Sequence, residues 1–370
     1  MAHESLKNRF RTVGDGSGFA PSDKLYPEEL QLAARNRGMP LEGLRYAITP
    51  TGLHYLLVHY DIPVVNPADW RLEIGGLVDK PLRLSLDDLK QRPSQTLAVT
   101  MECAGNGRAL MEPRHISQPW VLEAIGTAEW TGTPLQAVLE EAGVQTESAE
   151  ILFTGLDRGV EGGKIQNYQR SLAIEDASRE EVLLAYAMNG GPLEPQHGYP
   201  LRLLVPGWYG MTSVKWLTNI EAIAEPFDGY QMQKAYRYKQ SPEEEGVPAS
   251  LIKVRALMAP PGIPDFLTRT RLVEAGPVRL EGRAWAGRAG IDRVEVSADG
   301  GASWYDARLD PQESVFAWQG WQADWMATPG TYTLAVRATD SRGNVQPSEP
   351  SWNVGGYGNN VVQRVDVLVK

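Results

Sequence analysis

The chain has 370 residues, 42% of them hydrophobic, and a formal net charge of -10 from 36 basic and 46 acidic side chains. That length exceeds one ordinary core and implies about two domains, while the acidic balance argues against nucleic acid or an anionic membrane held by bulk electrostatics. No apolar run approaches the roughly 20 residues of a membrane-spanning helix, and a single cysteine, Cys103, excludes an internal disulfide, a four-cysteine zinc site and a covalently attached haem c.

Residues 1–45 carry few apolar periodicities and several Gly, Pro and charged residues, which predicts an extended N-terminal arm. Residues 1–18 show neither a twin-arginine pair nor the apolar core of a secretion signal; the expectation is a cytoplasmic protein, or a periplasmic one whose leader has been removed. Gly14-Asp15-Gly16-Ser17-Gly18 has no strand before it and no helix after it, so it reads as a loop rather than a dinucleotide site.

From 46 to 255 the texture is α+β. Ser85-Leu86-Asp87-Asp88 resembles a capping box, and a second short helix is predicted with Pro134 as its first residue, continuing through Leu135-Gln136-Ala137-Val138-Leu139 and closed by Gly143. Strands are predicted at 183–187, 201–205 and 214–220. His54 and His59, five apart in a strand-like stretch, are expected on opposite faces and unable to share a metal. Segment 159–164 has a P-loop flavour, but Ile165 stands where a magnesium-binding hydroxyl is required, so it reads as a loop. Composition shifts around Met258-Ala259-Pro260-Pro261-Gly262-Ile263-Pro264, and the domain boundary is placed at 255/256. Residues 256–370 alternate with period two, at Val278 and Leu280, Val294 and Val296, Tyr332 and Leu334, which predicts an immunoglobulin-like β-sandwich without a disulfide.

The lone thiol lies in Met101-Glu102-Cys103-Ala104-Gly105-Asn106-Gly107-Arg108, and its chemistry is that of a nucleophile or a single metal ligand. No histidine lies near it in sequence to activate a nucleophile. Polar residues cluster at two other strand ends, in His197-Gly198-Tyr199-Pro200-Leu201-Arg202 and in Gly210-Met211-Thr212-Ser213-Val214-Lys215. An arginine fork with clustered amides suits a phosphate, and Asp157 is placed to accept from ring N–H donors.

These segments, together with Thr127-Ala128-Glu129-Trp130-Thr131-Gly132, Leu184-Ala185-Tyr186-Ala187-Met188-Asn189-Gly190 and Val294-Glu295-Val296-Ser297-Ala298-Asp299-Gly300-Gly301-Ala302-Ser303-Trp304, resemble the molybdenum domain of the sulfite oxidase family with its dimerisation domain attached. The resemblance implies a molybdenum centre held by molybdopterin and one protein thiolate, Cys103. It implies that Asp157, His197, Arg202, Ser213, Val214 and Lys215 hold the pterin and its phosphate, that Tyr236 stands beside the metal, and that Arg108 and the residue at 59 line the anion pocket. It further implies sulfite oxidation and a homodimer. Too little chain precedes residue 50 for a haem-binding domain and no haem c motif is present, so the expectation is no haem in this chain and electrons passed to an external acceptor such as cytochrome c or a small oxidant.

Three positions depart from the family pattern: His59, Gly107 and Gly355 stand where arginines are usual. The expectation is a pocket poorer in fixed charge, with His59 compensating only while protonated and sulfite binding therefore dependent on pH. A nitrate-reducing or S-oxide activity on the same fold is the runner-up, and a non-enzymatic sandwich scaffold and a thiol-nucleophile hydrolase are the remaining alternatives.

Overall fold

The computed structural model describes residues 19–20 and 26–370. The readings made for 1–18, the glycine-rich loop among them, lie outside the described residues. The later part of the arm is not extended. Pro27–Ala33 is α-helical, with Pro27 at its start and Glu28 and Glu29 in its first turn, where acids complement the helix dipole. Glu29 is 1% exposed and pairs with the Arg114 guanidinium, which anchors the helix to the body.

The first half is built on two five-stranded sheets. One runs in the order Leu82–Leu84, Leu72–Gly76, Leu217–Ile223, Glu150–Glu161, Lys164–Ala173. The other runs Gly191–Pro192, Leu183–Met188, Ile125–Pro134, Gln95–Glu102, with Arg202–Leu204 paired to Leu183–Met188. Helix Leu86–Lys90 has the expected capping box, Ser85 Oγ accepting from Asp88 N at 3.1 Å and Asp88 Oδ2 from Ser85 N at 2.8 Å. Helix Leu135–Ala142 buries Leu135, Val138, Leu139 and Ala142, one face at helical spacing, and ends at Gly143 with φ +70°. Pro134 caps that helix from outside rather than opening it.

Two predicted elements differ. The strand expected from 214 begins at Leu217, because Trp216 takes a left-handed φ of +50° that breaks extended backbone. Residues 51–60 form no strand: the amides of Leu53 and His54 both bond Pro50 O, at 2.8 and 3.1 Å, so the chain turns and period-two alternation does not apply.

The second half packs two sheets face to face. A four-stranded sheet orders Arg255–Met258, Gly276–Trp285, Gln319–Ala327, Arg308–Leu309, and a six-stranded one orders Ile263–Pro264, Arg271–Val273, Gln363–Val369, Gly330–Asp340, Ile291–Ser297, Tyr305–Asp306. Its apolar cluster takes up the chain at Val254, so Pro260 and Pro261 lie within the sandwich, where the chain crosses from one sheet to the other.

The two halves meet at the strand end that precedes the cysteine. Glu102 is 3% exposed and its carboxylate takes an ion pair from the fully buried Arg255. It also accepts from Trp285 Nε1 at 2.9 Å and from Asn106 Nδ2 at 3.0 Å. Removing one partner of a buried pair strands the other charge, so Glu102→Ala is expected to cost about 3–5 kcal/mol. The exposed pair Glu73–Arg83 should be worth under about 1 kcal/mol. Urea unfolding of the two alanine variants checks this; equal shifts would contradict the assigned role of Glu102.

Candidate active site

Cys103 follows strand Gln95–Glu102 directly, and its backbone is fixed on both sides: its amide bonds Ala124 O at 3.0 Å and its carbonyl accepts from Asn106 N at 2.9 Å. Asn106, 1% exposed, closes the turn by accepting from Ala124 N at 3.2 Å. A Cβ at Gly105 would lie 2.6 Å from the Arg108 guanidinium, so a larger residue there would displace that side chain from its carbonyl partners. Gly107 takes φ +90°, and a Cβ would stand 2.9 Å from Asn359 O, so the arginine usual at this position has neither the backbone nor the room. Burial pushes the Cys103 thiol up, opposed by the Arg108 charge. A thiol held protonated in this way is a poor nucleophile, whereas a bound cation deprotonates it outright.

The thiol lines a cavity with ≈ 600 Å³ of empty space, its mouth included. Of the residues singled out from sequence, His59, Asp157, His197, Arg202, Ser213 and Lys215 share that lining with Cys103. Val214 is buried beside them and its carbonyl accepts from Leu203 N at 2.8 Å. Arg108 and Tyr236, with His59 and Cys103 again, line an adjoining wider cleft. His54 lines the same cavity as His59, contrary to the opposite faces expected for them, because the turn at Pro50 replaces the strand.

Local structure explains each placement. Asp157 sits where the register of Glu150–Glu161 against Lys164–Ala173 shifts between Thr154 and Arg158, a bulge that re-aims the side chain. Arg202 Nη1 donates to His197 O and Nη2 to Ser213 O, both at 3.1 Å, which ties the two polar segments into one wall. Ser213 Oγ accepts from Val205 N at 3.1 Å and so keeps its own proton to donate. Lys215 Nζ donates to Leu57 O at 2.8 Å and Gln196 O at 3.0 Å.

Burial dominates the electrostatics. It lifts Asp157 to about 7 and drops Lys215 to about 7, each opposed by the other's charge. Arg202 falls to about 10 and His197 to about 3 for the same reason. His59 also falls to about 3, first by burial and then by the charges of Lys215, Arg35 and Arg170. It is therefore neutral near pH 7, and the pH-dependent cation expected at this position is not there. Its Nε2 meets Tyr236 Oη at 2.5 Å, and burial holds the phenol well above its usual range, so the tyrosine carries the proton and donates it to the imidazole.

Several residues of the site escaped the sequence reading. The His59 ring stacks on Tyr168 at 4.4 Å, and Tyr236, itself at φ +54°, lies 5.1 Å from Tyr357. Tyr357 fills the space beside Gly355, whose Cβ would fall 2.2 Å from the ring, while Gly355 O accepts from Arg108 Nε at 3.0 Å. Trp120 lines the wider cleft. Three buried polar atoms of the cavity wall, His54 Nε2, Asp157 Oδ1 and Arg202 Nε, have no partner among the described residues. Unpaired polar atoms at that depth are rare and mark a place built for a polar occupant.

Known proteins resemble this chain in sequence and fold. Residues 59–231 match the oxidoreductase molybdopterin binding domain and residues 252–370 the Mo-co oxidoreductase dimerisation domain. The chain is 35% identical over 342 residues to the mitochondrial sulfite oxidase of Homo sapiens, covering 87% of this chain and 62% of that protein. It is 34% identical over 352 residues to the NADH nitrate reductase of Lotus japonicus, covering 87% of this chain and 39% of that protein. The chain thus spans less than two thirds of the length of these relatives. The crystal structure of the sulfane dehydrogenase SoxCD from Paracoccus pantotrophus superimposes with a TM-score of 0.79 at 27% identity, covering 95% of this chain and 90% of that one. With both domains matched in order and the fold shared along nearly its whole length, the chain belongs to the sulfite oxidase family of molybdopterin-binding oxidoreductases.

Proposed function

We propose that this chain is a molybdenum-dependent oxo-transfer oxidoreductase that oxidises sulfite to sulfate and passes the electrons to an external acceptor, a cytochrome c or a small oxidant. The observation that carries the reading is one soft sulfur donor, Cys103, on a cavity whose wall presents His54 Nε2, Asp157 Oδ1 and Arg202 Nε unpaired. That donor set fits a molybdopterin cofactor: a thiolate for the metal, a guanidinium, a hydroxyl and an ammonium from Arg202, Ser213 and Lys215 for the phosphate, and Asp157 and His197 for the pterin ring. When bound, the cofactor supplies two-electron oxo transfer to a substrate lone pair, with water as the oxygen source and two protons released.

The protein's own part is placement, charge and proton holding. Arg108, 5% exposed, spends Nε and Nη1 on the carbonyls of Gly355 and Gln118, at 3.0 and 3.1 Å, and meets no carboxylate among the described residues. Its charge therefore remains for an anion in the cleft. Tyr236, protonated and bonded to a neutral His59, offers a hydroxyl beside the thiol whose proton has an acceptor ready. A nitrate-reducing reading draws on the same neutral His59 and on Gly355, since a monoanion needs less fixed charge. Turnover of sulfite against that of nitrate separates the two. Residues 252–370 match a dimerisation domain, which supports pairing of two copies through this half.

Four outcomes are expected. Purified protein from a cofactor-competent host should contain about one molybdenum per chain and oxidise sulfite with ferricyanide. Changes to groups that only orient a metal ligand cost about 10–100-fold, so Cys103→Ser should lose more than about a hundredfold in turnover; unaltered turnover would remove the thiolate from the reading.

Because His59 sits at about 3 instead of its ordinary 6.5, the unfolded chain binds a proton there that the folded chain refuses, and His59 subtracts stability as pH falls from 6.5 towards 3. Its charge does not change between pH 6 and 9. His59→Gln should therefore lower kcat/KM by up to about tenfold through the lost hydrogen bond, yet keep the shape of the wild-type pH profile over that range. A profile that loses a limb in the variant would show that the imidazole does titrate there.

Light scattering should return twice the mass of one chain at micromolar concentration, and a monomer would refute the pairing.

A further inference from the structure

Among the described residues, seven arginines are buried to 8% exposure or less. Four of them pair with a carboxylate: Arg114 with Glu29, Arg237 with Glu245, Arg255 with Glu102 and Arg271 with Glu42. Arg108, Arg170 and Arg202 have no such partner among the described residues. A buried guanidinium without a counter-charge is costly, and proteins keep one where an anion visits. Arg202 and Arg108 already have an anion assigned to them above; Arg170 does not.

Arg170 is 2% exposed, on strand Lys164–Ala173. Two residues from Tyr168, it shares that residue's face of the strand, so Tyr168 supports the His59 ring while Arg170 supports Tyr236. Its Nη1 donates to Gln231 O and its Nε has no partner among the described residues. Its Cζ lies 5.6 Å from the Tyr236 ring centroid, Tyr236 lies 5.1 Å from Tyr357, and Tyr357 lies 5.1 Å from the Cζ of Arg108. Two tyrosines are thus stacked between two unpaired guanidinium groups, in a wall that also carries neutral His59 and Gly355.

We propose that Arg170, acting from behind Tyr236, is the positioning residue that restores fixed positive charge to the anion pocket and makes it selective for a doubly charged oxyanion. The inference rests on the sulfite reading above but is tested apart from it. A charge that does not touch the ligand acts in proportion to the ligand's own charge, so its removal separates dianions, monoanions and neutral substrates in a way that loss of packing does not.

The test compares Arg170→Met and Arg170→Lys in molybdenum-loaded enzyme. Sulfate affinity is measured by calorimetry, and KM and kcat are measured for sulfite, nitrate and dimethyl sulfoxide wherever turnover is seen. Arg170→Met should weaken sulfate about tenfold and raise the sulfite KM about tenfold with kcat within about threefold. Its effect on nitrate should be smaller, and the neutral sulfoxide should be unaffected. Arg170→Lys should return sulfate affinity to within about threefold of wild type. Should Arg170→Met not fold, Arg170→Gln, which keeps a donor for Gln231 O, carries the same expectation. Sulfate binding unchanged in the charge-free variant overturns the proposal. So does a uniform loss for all three substrates with falling molybdenum content, since that is the mark of a merely structural arginine. Sulfate affinity that follows the charge at 170 in an enzyme that does not oxidise sulfite supports this inference while removing sulfite as the substrate.

Discussion

Three guanidinium groups, those of Arg108, Arg170 and Arg202, are buried around a single thiol with no carboxylate in ion-pair contact among the described residues, in a chain whose net charge is -10. Burying such charges without a partner costs several kcal/mol each, and the fold accepts the cost only here. Elsewhere its buried arginines are paired. The imbalance makes the site an anion receptor before any chemistry is considered, and after burial itself it adds to the depression of the neighbouring bases: His59, His197 and Lys215 all lie below their ordinary values. A cofactor carrying a phosphate, together with a small oxyanion, supplies the missing negative charge from outside the sequence.

The same segment that bears the thiol holds the two halves together. Glu102 turns its carboxylate away from the cavity to Arg255 and Trp285, while Gly107, one turn later, lies against Asn359. The cysteine is therefore clamped between a strand of the first half and the sandwich of the second. Positions that look like losses from an arginine-rich pocket have structural reasons of this kind: Gly107 is fixed by the approach of Asn359, and Gly355 by the ring of Tyr357. With those two sites closed to arginine, Arg170 stands on a strand that the pocket pattern did not include.

What the sequence made legible was what lies close together along it. Cys103, Asn106 and Arg108 fall in one turn, and His197 with Arg202, or Ser213 with Lys215, fall in two others, so residue type and spacing sufficed. Tyr168, Arg170, Trp120 and Tyr357 were not legible, because each is a single side chain on a separate element and a strand pattern alone gives it as core or surface. His54 and His59 were misplaced because a turn at Pro50 looks, by alternation, like a strand. The helix Pro27–Ala33 was missed although Pro27, Glu28 and Glu29 signal a helix start; seven residues are too few for periodicity to register. The neutrality of His59 could not be read at all, since it follows first from burial of the ring and then from the charges of Lys215, Arg35 and Arg170, brought near from distant parts of the chain.

The central claim is a bond from the Cys103 sulfur to molybdenum, and X-ray absorption at the molybdenum edge tests it most directly. Wild-type protein should show one more sulfur neighbour around the metal than Cys103→Ala loaded to the same molybdenum content. Equal sulfur counts in the two proteins would contradict the account.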